Sequence, residues 1–535
     1  MMAKRLLGTI SGLAIAATLI PASVGGAAAE PGSGLQWGKC PAEQFTAERA
    51  ECATFQVPMD YSKPKGKKIT LTMSRIPATG EKRGVIAGNP GGPGGSALGM
   101  FSDASRPHET DESRVKLPAE VQKHYDQIAV QPRGLADGEA LECNFGMMGL
   151  NLIPGFAAGL FRDLCNFEQP GYADQVTTQN TARDLDWARA LLGEDKLSLY
   201  GVSYGGFLMG TYATMFPNKV DRSLIDSSVS PKDAWFKAGR DREPWRRDSL
   251  HNLFQWIADR DDEYHLGKTP LQVYQRWAKV IDKETGVPAQ VTPPPARIGD
   301  LPAGLKPHAD VVLPAVNQAL PGAWRLGSGV VAVAKNKSGA TLMSPLFNVT
   351  YFGALYNEEL RPIVAEYVRT GKMPDMPGEE LGPNGLPVNP MTGEEMTEEQ
   401  MMKLLEQQMS MATVERSIVC NDNATPVRPD LLPKLWADRL TGGDVISVIE
   451  NGIGSGEMCA GWPLPRPGRP IDGSGLAVKP LHLGFDHDSA VTGNALWEMR
   501  DALGGEAIQL PGYAHGVMIS APDKVKDRVT DYFLK

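Results

Sequence analysis

Residues 68–76 (KITLTMSRI) alternate between apolar and polar, the period-two pattern of a half-buried strand, and the apolar run 84–88 ending in glycine predicts a second strand. The first is expected at a sheet edge and the second inside the sheet. Another short strand is predicted at 126–130, followed by the turn Gln131-Pro132-Arg133-Gly134. Apolar residues then recur at helical spacing over 178–192, a strand pattern covers 196–200, and a helix pattern over 206–216 stops at Pro217. Strands follow at 222–225, 481–485 and 507–510, and a helix closes the chain at 525–534. Such alternation predicts an α/β fold, a doubly wound and mainly parallel sheet with helices on both faces.

The pattern changes after the strand at 222–225. From 232 to about 415 the chain is rich in Trp, charge and helix formers, with proline breaks at 293–295 and 374–390. This predicts a largely helical cap inserted at 232–478, which divides the core into 30–231 and 479–535. Within the cap, 397–411 (TEEQMMKLLEQQMSM) reads as a helix with Thr397 as N-cap and Met401, Met402, Leu404, Leu405 and Met409 as an apolar stripe. A methionine stripe of this kind is read as adaptable packing.

Composition narrows the possible functions. The 535 residues are 42% hydrophobic and 22% charged, enough to bury a large core, and the formal charge of -9 is scattered. No Lys/Arg tract is present to neutralise a phosphate backbone, so nucleic acid is not an expected partner. At the N-terminus, Lys4-Arg5 precede the apolar run 6–20 and then Ala27-Ala28-Ala29, the order of a secretory signal peptide over 1–29 with cleavage after Ala29. The run is shorter than the roughly 20 residues of a spanning helix, so the mature chain is expected outside the cell without a membrane partner. Six cysteines (Cys40, Cys52, Cys143, Cys165, Cys420 and Cys459) then suggest disulfides, and no C-x-x-C pair suggests a metal site. Proximity favours 40 with 52, 143 with 165, and 420 with 459. No metal or cofactor is expected.

The strongest chemical signal is Gly201-Val202-Ser203-Tyr204-Gly205, set between the strand and helix patterns. That context makes a G-x-S-x-G motif a nucleophile elbow, in which flanking glycines make room for a strained serine at a helix N-terminus. A glycine loop, Gly91-Gly92-Pro93-Gly94-Gly95, follows an earlier strand, where backbone N–H groups stabilise the oxyanion of acyl transfer. The expected donors are Tyr204 and Gly92, with Gly91 the alternative. Serine needs a base, and among the eight histidines only His515 lies on a glycine-flanked loop after the last strand. The acid belongs between them in chain order, and Asp488 ranks ahead of Asp486 and Asp226.

These motifs resemble the secreted bacterial tripeptidyl and prolyl tri/tetrapeptidyl aminopeptidases, α/β-hydrolase-fold serine peptidases related to proline iminopeptidases. The resemblance is carried by Cys52 with Val57-Pro58-Met59-Asp60-Tyr61, by Asn89-Pro90-Gly91-Gly92-Pro93-Gly94-Gly95-Ser96, and by Asn180-Thr181-Ala182-Arg183-Asp184-Leu185-Asp186. It continues through Gly201-Val202-Ser203-Tyr204-Gly205-Gly206 and Cys420-Asn421-Asp422 to Cys459-Ala460-Gly461-Trp462-Pro463. It implies Asp488 as triad acid, and a cap that admits peptide substrates by their free N-termini and releases tripeptides, or tetrapeptides, after proline or small apolar residues. A buried substrate amine needs a carboxylate, for which Glu358, Glu359 and Asp422 are the candidates. The chain departs from the family at Gln131, where an Asp is usual, and at Val491-Thr492, where Thr-Pro is usual. A carboxylesterase or lipase using the same triad is the alternative function, since fold alone does not separate the two.

Overall fold

The computed structural model of the protein describes residues 34–41, 49–101, 115–143, 158–374 and 395–535. The leader expected at 1–29 lies outside them, as do most of the proline-rich break at 374–390 and the side chains of Met401, Met402, Leu404 and Leu405. The middle of the sheet is covered on both faces. Every residue of β5 (Tyr125–Val130), β6 (Leu197–Val202) and β8 (Leu481–Phe485) is buried, as expected of parallel strands covered on both faces. The nine-stranded sheet also contains β1 (Gly38–Lys39), β2 (Glu51–Pro58), β3 (Lys68–Ile76), β4 (Gly84–Asn89), β7 (Val220–Asp226) and β9 (Glu506–Leu510). Its order is β1-β2-β3-β5-β4-β6-β7-β8-β9. Strands β4 to β9 run parallel, whereas β1, β2 and β3 pair antiparallel and β3 joins β5 antiparallel.

Strand β3 is not the sheet edge that its alternation suggested. Strand β2 covers it in register from Glu51↔Arg75 to Pro58↔Lys68, so Thr72 and Ser74 are buried and hydrogen-bond backbone carbonyls. The chain leaves β4 for β5 on one side and returns to β6 on the other, which sets Asn89 beside Gly201. A crevice at the carboxyl ends of such reversed neighbours is the usual ligand position in an open α/β sheet. Both motif loops leave the sheet there.

Among the described residues, every element between β7 and β8 is a helix. Helices Phe236–Ala258, Pro270–Thr285 and Arg361–Thr370 enclose an apolar centre of their own around Phe254, Tyr274, Trp277 and Phe347. The long helix Glu398–Asp422 starts where expected, with Thr397 and Gln400 forming a capping box, but continues well past 411. Its last turns place Val414, Ile418 and Val419 in the core of the sheet layer. Disulfides join Cys40 to Cys52, Cys143 to Cys165, and Cys420 to Cys459, the pairs that proximity favoured. Among the described residues, no helix is long and apolar enough to cross a membrane.

Candidate active site

Ser203 joins β6 to the helix Tyr204–Met215, which begins two residues earlier than its pattern suggested. The serine sits at φ 60 and ψ -127, a conformation that costs a non-glycine residue about 1–3 kcal/mol unless its surroundings fix it. They do. Its N–H donates to the Asp226 carbonyl at 3.0 Å, and its carbonyl accepts from Gly206 at 3.0 Å and Val229 at 3.2 Å. Both motif glycines are required by contact. A Cβ on Gly201 would lie 2.3 Å from the Gly205 carbonyl oxygen, and one on Gly205 would lie 2.1 Å from that of Asn89.

The glycine loop is pressed against this elbow. A Cβ on Gly91, whose φ is 101, would come within 2.9 Å of Ser203 Cβ. The Gly91 N–H is taken by Asn89 Oδ1 at 3.0 Å, whereas Gly92 lines the cavity onto which Ser203 opens. Tyr204 N is the first amide of the helix, one of the terminal N–H groups that have no intrahelical partner. Gln131, in place of the acid usual in similar sequences, steadies the loop by accepting the Ala97 N–H at 2.9 Å and hydrogen-bonding Ser96.

His515 Nδ1 lies 2.8 Å from Asp488 Oδ2, and the other oxygen of Asp488 accepts from the backbone of Ala490 at 2.8 Å and Val491 at 3.3 Å. Burial alone would lower the His515 pKa, but the charge and hydrogen bond of Asp488, with help from Asp226, hold it above the ordinary histidine value. Asp226 does not bond the ring. Its carboxylate accepts from Val517 N at 2.8 Å and from Met518 N at 2.9 Å, with Tyr200 donating to it as well. Since its carbonyl also holds Ser203, Asp226 fastens the histidine loop to the elbow. Asp486 is engaged by Gly512 N.

The cavity at Ser203 is lined by Gly92, Asp233, Arg242, Glu415 and Val419 among others. None of the three carboxylates expected to bind an amine is among its lining residues. Glu358 accepts from Tyr513 N at 3.0 Å and pairs with Arg361 at 3.0 Å. Glu359 borders a different hollow, beside Lys116 and Ser520. Asp422 is buried under Thr178, whose N–H reaches it at 2.6 Å, and burial pushes its pKa up to about 7. Sequence reasoning missed Asp233, Arg242 and Glu415, which carry no motif, and Glu415 falls beyond the predicted end of its helix. Among the described residues, no group of three or more His, Cys, Asp or Glu side chains converges as metal ligands do.

Elbow, glycine loop and histidine-acid pair at the carboxyl edge of this sheet define a hydrolase architecture, and the chain has the α/β-hydrolase fold. The family model described as alpha/beta hydrolase fold matches residues 89–303. Within that fold the chain is similar to the tripeptidyl aminopeptidase of Streptomyces coelicolor, at 35% identity over 267 residues, covering 46% of this chain and 48% of that one. It therefore spans about half the length of that relative. It is also similar to the serine protease Hip1 of Mycobacterium tuberculosis, at 29% over 350 residues, covering 60% and 64% of the two chains. Similarity to carboxylesterase B of the same organism is 29% over 196 residues, covering 31% and 36%.

Proposed function

We propose that this chain is a secreted serine exopeptidase that releases tripeptides, or tetrapeptides, from free N-termini through an acyl-enzyme on Ser203. The observation that carries the reading is the 2.8 Å pair of His515 and Asp488 on a loop that Asp226 ties to the Ser203 elbow. In this reading His515 takes the Ser203 proton as the hydroxyl oxygen attacks the scissile carbonyl, while the N–H groups of Gly92 and Tyr204 receive the developing oxyanion. His515 then passes the proton to the leaving amine. Water, activated by the same histidine, frees the acyl peptide from Ser203. Asp488 keeps the ring oriented and stabilises the imidazolium. The similarity to a tripeptidyl aminopeptidase supports release of tripeptides from the amino end, and the N-terminal leader pattern with three disulfides supports secretion.

A fluorophosphonate probe tests the nucleophile: it is expected to label the wild type and spare Ser203→Ala. The substrate class is read from a panel of free and N-acetylated di-, tri- and tetrapeptide p-nitroanilides. Preference for acyl esters over every peptide would favour carboxylesterase chemistry, the second reading, which the similarity to carboxylesterase B supports.

A further inference from the structure

Among the described residues, one carboxylate of the cavity at Ser203 has no ion-pair partner. Two carboxylates line it, Asp233 and Glu415. Asp233 is bonded by Lys237, which also bridges Asp241. The cation of the cavity, Arg242, is held from behind by the buried Glu450, with contacts of 3.2 Å and 3.1 Å. The Glu415 carboxylate makes no hydrogen bond or ion pair among the described residues. It is open to solvent through the cavity, yet the surrounding protein desolvates it, and this loss outweighs the charges of Arg242 and Arg416 and raises its pKa. A carboxylate in that condition gains most from an arriving cation.

The glycine loop lies between the elbow and the turn that carries Glu415. At one end of the loop, a Cβ on Gly91 would touch Ser203 Cβ at 2.9 Å. At the other end, one on Gly94 would stand 2.4 Å from the Met411 carbonyl oxygen and 3.3 Å from Glu415 N. The loop turns back on itself between them, with Gly95 N donating to the Gly91 carbonyl at 3.0 Å, so the elbow and the Glu415 turn border one compact loop.

We infer that Glu415 receives the substrate's terminal ammonium in the cavity it shares with Ser203. The inference rests on the exopeptidase reading. Within one enzyme the ratio of kcat/KM for a free tripeptide p-nitroanilide to that for its N-acetylated form measures amine recognition and does not depend on the fraction of protein folded. We expect a wild-type ratio of at least about 100, which corresponds to about 2.7 kcal/mol. Glu415→Gln is expected to bring the ratio below about 10, chiefly by raising KM for the free substrate, and Glu415→Asp to restore part of it. A ratio that stays near wild type in Glu415→Gln, or that collapses in Asp233→Asn instead, overturns the assignment and leaves the exopeptidase reading standing. A wild-type ratio near one removes the exopeptidase reading itself, and this inference with it.

Discussion

At Asp488 the two carboxylate oxygens have separate duties, one toward His515 and one toward the backbone of Ala490 and Val491. The second duty fixes the first, because the side chain cannot turn away without abandoning two buried N–H groups. Asp488→Asn is expected to lower kcat by about 10³ to 10⁴ with folding retained, since the amide favours the wrong histidine tautomer. The pH profile offers a second readout. His515 acts as a base only when neutral, and its pKa is held above 6.5, so wild-type kcat/KM is expected to fall on acidification with a midpoint above that value. In Asp488→Asn burial dominates, and the midpoint moves down. Asp226→Asn should behave differently. It sets an amide donor against the N–H groups of Val517 and Met518, leaving buried donors unpaired at about 1–3 kcal/mol, so its signature is a lower melting temperature. If Asp226→Asn loses kcat as severely as Asp488→Asn while keeping its melting temperature, the roles given to the two acids are reversed.

Elements that bury both faces were legible in the sequence because composition alone marks them, as at β6 and β8, where apolar runs lie beside glycine. Strand β2 was missed: its run ECATFQVP interleaves Glu51, Thr54 and Gln56 with the apolar residues, and its place depends on pairing with β3, a partner that no local window reveals. The same limit governed the site. Ser203 and His515 announce themselves by turn chemistry and chain order, whereas the sequence only ranks Asp488 ahead of Asp486 and Asp226, and folding brings Asp488 to the His515 ring. Glu415 was hidden because the end of its helix is set by tertiary packing of Val414, Ile418 and Val419. Packing between elements also rests on Arg133, fully buried in the turn after β5. It grips Asp184 of helix Thr178–Leu191 through two nitrogens at 2.7 Å and 2.6 Å and reaches the carbonyls of Pro58 and Met59. Asp184→Asn is expected to lower unfolding free energy by about 3–5 kcal/mol, measured by urea denaturation, because the guanidinium is left buried without its counter-charge. A loss below about 1 kcal/mol would mean that water reaches the pair.

Across the whole molecule, residues proposed for chemistry and residues proposed for recognition sit on separately supported parts. Ser203, His515, Asp488 and the glycine loop all follow strands of one sheet, while Glu415 rides on a helix between β7 and β8. Near its end that helix is fastened by the bond from Cys420 to Cys459, by Asn421 to the carbonyls of Ala173 and Val176, and by Asp422 to Thr178. Removing the disulfide should therefore loosen recognition before it touches the chemistry. The bond closes a loop with a sequence separation of 39, and chain-entropy arguments give such a loop about 4 kcal/mol. The bond from Cys40 to Cys52 spans only 12 and is worth about 3 kcal/mol on the same basis, at the far edge of the sheet. Paired serine replacements of each bond, compared by denaturation and by kinetics on a free tripeptide p-nitroanilide, separate the two effects. Both variants are expected to lose stability, the 420/459 variant more. Only that variant is expected to raise KM with kcat near wild type, because its helix end gains freedom while the elbow keeps its hydrogen bonds to Asp226 and Val229. Equal KM values in the two variants would show that Asn421 and Asp422 alone hold the helix in register, and a loss confined to kcat would contradict this separation of recognition from chemistry.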